Sequence, residues 1–528
     1  MYKIGDGLKK HITKYGLIII GICMLSMLLC SIEYKYCKKT ISFDEMFSFA
    51  SSNTFFPEFS RMTQDRTWSS PANEFRVLLS VQKDERFNYK AVWINQAEDV
   101  HPPLYYALIH TVYSLIPERF SFWIGLIVSE IFIILTTIVL YSLGNMFYGD
   151  KIAALFCCAM FACSPSTINR VLFFRMYPML LFMTTLAFWI HMKWITDDSL
   201  NKKFKWLFFL FVVNVIGALT HYYYIVFIVL LTLACTVYLL LSGKRKRILC
   251  YYLPQIVSAI VVLAVFPACI NHIFYGYRGE QAFSNISDYD DVISLFKEYL
   301  QEIISEVFID TTVMAVVILS FIGIVIVSLV KHRSQLQIHY FAIAIFVMVV
   351  SASVIIKISE KHTTRYISSA FPLLYLLLFG SLGFFVGRLF SKKTYCLLCI
   401  LIVSFFICRR IVEVKPWVDH EPKSVKIAKQ YADLDCIVFA GEDDWTINYQ
   451  AWYEYPDLVN FFRIYYVKEP YSRDFVDERL ANEEKLIVYV SNESSTEEVK
   501  SRLMDSLPQM KSFTYLYDGF DCSVYLLE

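Results

Sequence analysis

Long apolar runs constrain this chain more than any other feature. A helix needs about 20 apolar residues to cross the hydrocarbon core of a bilayer. Stretches of about that length recur at 16–32, 121–145, 152–168, 176–195, 206–222, 223–242, 249–270, 312–330, 338–356, 366–387 and 394–409. Backbone polar groups inside lipid must be satisfied within the segment, so each run is predicted to be helical. Composition agrees. Of 528 residues, 56% are hydrophobic and 18% charged, whereas a soluble domain is about a quarter charged. With a mean hydropathy of +0.47, there is more apolar sequence than a soluble core can absorb. The formal net charge of +1 says nothing about nucleic acid, and no basic tract interleaved with aromatics suggests it, so no nucleic-acid partner is expected.

The expected fold is a polytopic α-helical membrane protein with about eleven spans. The segment 104–117 is too short to span comfortably, and a juxtamembrane or tilted helix is expected there. Lys and Arg collect in cytoplasmic loops. With eleven spans, Lys9, Lys10 and Lys14 share a side with Lys202–Lys205, Lys244–Arg247, Lys331 and Arg333, and Arg388, Lys392 and Lys393. That side is assigned to the cytoplasm, with the N-terminus. A long loop at 33–103 and an acidic loop at 272–311 then lie outside. The first span, without a small-residue cleavage site, reads as a retained anchor.

After residue 410 the apolar runs shorten to strand length: 436–440, 486–490, 513–517 and 523–527, with a helix-like stretch at 495–506. The expected division is a membrane domain at 1–410 and a small extracytoplasmic α/β domain at 411–528. Cys436 and Cys522 are candidates to pair there. No Gly-rich phosphate loop occurs.

Chemistry-bearing residues cluster at predicted outer boundaries. Ser42-Phe43-Asp44-Glu45 follows the first span. It reads either as a solvated loop start or as a general base with a cation ligand. Glu98-Asp99-Val100-His101-Pro102-Pro103-Leu104-Tyr105-Tyr106 holds acids and a histidine beside a proline pair that starts an aromatic helix. Arg175-Met176-Tyr177-Pro178 opens a span, where an arginine either snorkels to the interface or contacts an anion. Thr220-His221-Tyr222-Tyr223-Tyr224 lies between two spans, and its tyrosines also suit an aromatic belt. Lys361-His362-Thr363-Thr364-Arg365-Tyr366 places basic residues outside, against the positive-inside trend, and a planar guanidinium with a nearby ammonium suits phosphate.

The order of these motifs over residues 16–387 resembles the C-type membrane glycosyltransferases. More narrowly, it is similar to the branch holding protein O-mannosyltransferases and lipid A aminoarabinose transferases, which is glycosyltransferase family 39-like. The resemblance implies a polyprenyl-phosphate sugar donor, mannose-like or another hexose or pentose, and a lipid, glycan or protein acceptor outside the cytoplasm. It implies Asp44 as base and Glu45 as acceptor-positioning or cation-binding residue. It gives Arg365 to the donor phosphate, with His101, Arg175, Tyr177, His221, Tyr222, Lys361 and Tyr366 shaping the cavity and Asp99 close by. Some relatives hold a divalent cation near such carboxylates. Asp44, Asp99 and His101 are the residues that would ligate one, but the spacing does not require it, and no metal or other cofactor is assigned. A multi-pass transporter or lipid flippase is the alternative reading of so many spans. Transporters, however, favour polar groups near the midplane in repeated broken helices, and here the groups sit at boundaries with no internal repeat.

Overall fold

The computed structural model describes residues 2–38, 41–55, 66–68, 77–196, 200–287, 292–330, 338–359, 363–412, 423–440, 458–468, 476, 478–519 and 522–528. It divides into two units. The first comprises Met1–Lys35, Gln96–Tyr105 and Trp123–Lys415; the second comprises Tyr36–Asn95, Tyr106–Phe122 and Pro416–Glu528.

In the first unit, each of the eleven apolar runs is helical. Seven helices are long and apolar enough to cross a membrane, and up to nine when each bent pair is one span, among the described residues. The expected number is about eleven, and the lower count has a physical reason. Two spans are broken: Lys151–Ala162 meets Pro165–Leu172 at 47°, and Ser294–Phe308 meets Thr311–Gly323 at 84°. A third run, Phe204–Ala218, is short, and the helix over the last run, Lys392–Val412, is not among the seven. Outward residues are apolar, with Phe204 83% and Leu241 85% exposed, as lipid contact requires. Close helix approach depends on glycine at Gly144, where a Cβ would lie 2.8 Å from the Ala154 Cβ and 2.9 Å from its Cα.

Helix Leu104–Leu115 has 12 residues and is about 18 Å long, well short of a hydrocarbon core of about 30 Å. Leu104 N–H donates to the Leu219 carbonyl at 3.0 Å, which ties the start of this helix to the turn before His221.

The second unit is built on a six-stranded mixed sheet in the order β1-β3-β2-β4-β6-β5. Its strands are β1 (Arg66–Trp68), β2 (Asp435–Ala440), β3 (Arg463–Lys468), β4 (Leu486–Ser491), β5 (Phe513–Asp518) and β6 (Cys522–Leu527). Strand β2 is parallel to β3 and β4, and the other pairings are antiparallel. Strand β4 is buried along its whole length, as expected for a central strand covered on both faces. The core joins Ile437, Phe439, Val488 and Leu527 to Val499 and Leu503 of helix Thr496–Ser506. Four strands and that helix match the sequence expectation. Strand β3 and the three-residue β1, contributed by the first loop, add to that expectation, β1 being too short to carry a strand pattern.

Cys436 and Cys522 sit on β2 and β6, with β4 between them. Two strand spacings come to about 9.5 Å, beyond the roughly 7 Å Cα limit of a disulfide, so the expected pairing does not form.

Candidate functional site

Within the second unit, Ser42 begins helix Phe43–Asn53 with a capping box. Ser42 N–H donates to Glu45 Oε2 at 2.8 Å, and Glu45 N–H donates to Ser42 Oγ at 3.4 Å. Such a cap contributes about 0.5–2 kcal/mol. Glu45 also pairs with the Lys38 ammonium at 3.0 Å, both side chains being almost fully buried. Its carboxylate therefore serves a cation belonging to the protein itself. Asp44, one residue earlier and about 100° around the helix, is only half-buried. The neighbouring acids thus have different environments.

Within the first unit, the turns between helices gather the other motifs. His101 lies just before the Pro102-Pro103 pair. Its Nδ1 is 2.7 Å from Asp99 Oδ2, and Arg175 Nη2 is 3.2 Å from its Nε2. A guanidinium can only donate, so Nε2 accepts and the ring proton sits on Nδ1, donated to Asp99. The result is a directed chain from Arg175 through His101 to the Asp99 carboxylate. Burial pushes the Asp99 carboxyl up, but His101 and Arg175 more than offset it and hold it below the usual carboxylate range.

Arg175 lies on the short link between helices Pro165–Leu172 and Tyr177–Thr196, where its N–H donates to the Phe173 carbonyl at 2.7 Å. His221 lies on the turn between Leu200–Ala218 and Tyr223–Leu241. Tyr223 N–H donates to His221 Nδ1 at 3.1 Å, so that nitrogen is an acceptor. Burial, with the neighbouring Arg175–His101 pair adding to it, holds His221 well below the usual histidine range. A neutral imidazole with its proton on Nε2 follows. Gly217 makes this turn possible, because a Cβ there would overlap the Tyr224 ring.

Rings link the motifs. Tyr177 lies 5.8 Å from His221 and 6.3 Å from Tyr366, while His101 lies 6.3 Å from His221. Tyr223 joins both His221 and Tyr366, at 4.6 and 5.7 Å. The Arg365 guanidinium stacks over Phe173 at 4.9 Å and over Tyr366 at 5.2 Å. The Arg365 guanidinium is thus held among aromatic faces, and the Arg175 guanidinium against the edge of His101, an arrangement that suits a phosphate next to an apolar chain or sugar ring.

Tyr222, expected in the same cavity, has a histidine partner beside Asp99. Its hydroxyl donates to His272 Nδ1 at 2.7 Å, and His272 Nε2 donates to the Ala97 carbonyl at 3.1 Å. This brace fixes the backbone two residues before Asp99. His272 escaped the sequence reading because a lone histidine on a short helix has no pattern. Lys361 lies outside the described residues.

Of the residues named for a divalent cation, Asp99 and His101 are already committed to other partners. Both His101 nitrogens are engaged, one by a guanidinium, and Asp99 already neutralises that chain. Among the described residues no group of three or more His, Cys, Asp or Glu converges on a cation position.

Comparison with known proteins places these motifs in context. Residues 100–270 match the family model of dolichyl-phosphate-mannose-protein mannosyltransferases. No curated protein matches the chain in sequence. The fold matches ArnT from Cupriavidus metallidurans bound to undecaprenyl phosphate, with a TM-score of 0.50 and 13% identity over 98% of each chain. The apo state of that protein gives 0.49 and 12%, again over 98% of each chain. The oligosaccharyltransferase AglB from Archaeoglobus fulgidus, in complex with an inhibitory peptide and a dolichol-phosphate, gives 0.47 and 10% over 96% of this chain and 74% of its own. The chain thus resembles the C-type membrane glycosyltransferases in fold and across residues 100–270.

Proposed function

We propose that this protein transfers a sugar from a polyprenyl-phosphate carrier to an acceptor outside the cytoplasm. The observation that carries the reading is the Arg175–His101–Asp99 chain, set among rings, with His101 and Arg175 inside the segment that matches the mannosyltransferase family model and Asp99 immediately before it. Breaking a sugar C1–O–phosphate bond builds oxocarbenium-like charge on the sugar. The departing phosphate gathers negative charge, which fixed cations stabilise. Arg365 and Arg175 supply those cations in this reading, and the aromatic faces of Tyr177, Tyr223 and Tyr366 take the sugar or the first isoprene units.

Asp44 is proposed as the base. Its carboxylate takes the proton of the acceptor nucleophile while the nucleophile's lone pair bonds to C1. The C1–O bond breaks with its electron pair leaving on the phosphate, so polyprenyl phosphate is the second product. One displacement inverts the anomeric centre. The N-terminus is assigned to the cytoplasm and the C-terminal sheet to the exterior, because that orientation collects the basic loops inside. The division at residue 410 is kept as the boundary between the membrane domain and the sheet domain.

The test combines two measurements. Replacing Asp44→Asn should abolish sugar transfer by the purified protein in lipid vesicles, with membrane insertion unchanged. Mass spectrometry of lipid-linked sugars in cells lacking the protein should show the donor accumulating. Full transfer by a correctly inserted Asp44→Asn protein rejects the base, and unchanged lipid-linked sugars reject the donor class.

A further inference from the structure

A buried polar cluster that the proposed reaction does not use joins the two broken helices. Glu306 lies in a wide helical turn, Ile304–Phe308, and is 8% exposed. Its carboxylate accepts from Asn169 Nδ2 at 2.8 Å, from Arg170 Nη2 at 2.8 Å and from the Thr364 hydroxyl at 2.9 Å. Arg170 Nη2 also donates to Thr364 Oγ1 at 2.7 Å. Thr364 N–H donates to Glu302 Oε2 at 2.9 Å, one turn earlier on the same face. Residue 364 is thereby bonded through backbone and side chain to a single helical segment.

Position in the chain gives the cluster its meaning. Arg170 precedes Phe173 by three residues, and Thr364 immediately precedes Arg365. The Arg365 guanidinium lies over the Phe173 ring at 4.9 Å. Glu306 therefore bonds to both segments whose side chains form that contact. A buried ion pair is weak evidence for stability but specifies geometry well. Wide helical turns also recur at functional sites. Here the wide turn is followed by Ile309 at φ 76, a left-handed conformation that a β-branched residue rarely adopts. A local conformation of this kind persists only where its surroundings enforce it.

We infer that Glu306 is a positioning residue that sets where the Arg365 guanidinium stands, acting through Thr364 on one side and through Asn169 and Arg170 on the other. The inference rests on the proposed role of Arg365 at the donor phosphate.

The test uses the full-length protein carrying Thr364→Val, Glu306→Gln, Glu306→Asp or Arg365→Lys. Two readouts serve: steady-state transfer, and retention of undecaprenyl phosphate by native mass spectrometry. Thr364→Val leaves the Arg170–Glu306 pair intact, so it keeps the test open should Glu306→Gln misfold. Thr364→Val should raise the donor KM about tenfold or more, the loss expected for one hydrogen bond to a charged group. Its kcat should move less than its KM, retention should fall in parallel with Arg365→Lys, and Glu306→Asp should recover part of what Glu306→Gln loses. A correctly inserted Thr364→Val protein with donor KM and retention within about twofold of wild type overturns the inference. Wild-type protein that neither transfers sugar nor retains undecaprenyl phosphate refutes the functional reading instead.

Discussion

Replacing Asp99→Asn tests the directed chain at the candidate site with little change of shape. Asp99 Oδ2 accepts the His101 Nδ1 proton at 2.7 Å, which leaves Nε2 to receive Arg175. Asparagine can answer in two ways. With its carbonyl toward Nδ1, the tautomer survives but the charge on the acceptor is lost. With its amide toward Nδ1, the ring proton moves to Nε2 and faces the Arg175 N–H, so two donors oppose each other. Hydrogen bonds to charged groups contribute about 1.5–3 kcal/mol against about 0.5–1.5 for neutral ones. The milder route therefore costs about 1–1.5 kcal/mol, and at 1.36 kcal/mol per tenfold that is a loss of about 5- to 13-fold in kcat/KM for the donor. The second route costs more. Transfer should be assayed with purified protein in vesicles, with thermal unfolding confirming an intact fold. A folded, correctly inserted Asp99→Asn protein within about twofold of wild-type kcat/KM would show that Asp99 does not act through His101 on Arg175.

Two further predictions concern the scaffold. Burial holds His221 well below, and His272 below, the ordinary histidine value of 6.5. The unfolded chain therefore binds protons that the native state refuses. Stability should be full above about pH 6.5 and should fall below it, by up to about 1.4 kcal/mol per pH unit for each histidine until its native pKa is reached. Asp99 has the same sign, but its contribution is lost only at still lower pH, as pH falls through its depressed native value. A thermal midpoint that stays flat from about pH 8 to about pH 5 would contradict both assignments. Gly144→Ala places a Cβ 2.8 Å from the Ala154 Cβ. Overpacking of about 1–3 kcal/mol should outweigh the helix-propensity gain of at most about 1 kcal/mol, and an unchanged or raised midpoint in detergent would refute that.

Sequence alone determined the solvent of this chain, because no arrangement of so many 20-residue apolar runs hides them from water without a bilayer. It determined the helical character of each run, the short helix at 104–117 and four of the six strands, since these depend on local period and length. It also named Arg175, Tyr177, His221, Arg365 and Tyr366, which the structure links through one set of rings. Only the tertiary structure decided who bonds to whom. Glu45 serves Lys38, Tyr222 serves His272, and His101 passes the charge of Asp99 to Arg175. The Arg170–Glu306–Thr364 cluster spans 194 residues of sequence between Arg170 and Thr364, and β1 reaches β3 from the first loop. Such contacts leave no local trace, because a side chain's identity fixes what it can donate or accept, while its partner is set by where distant segments pack.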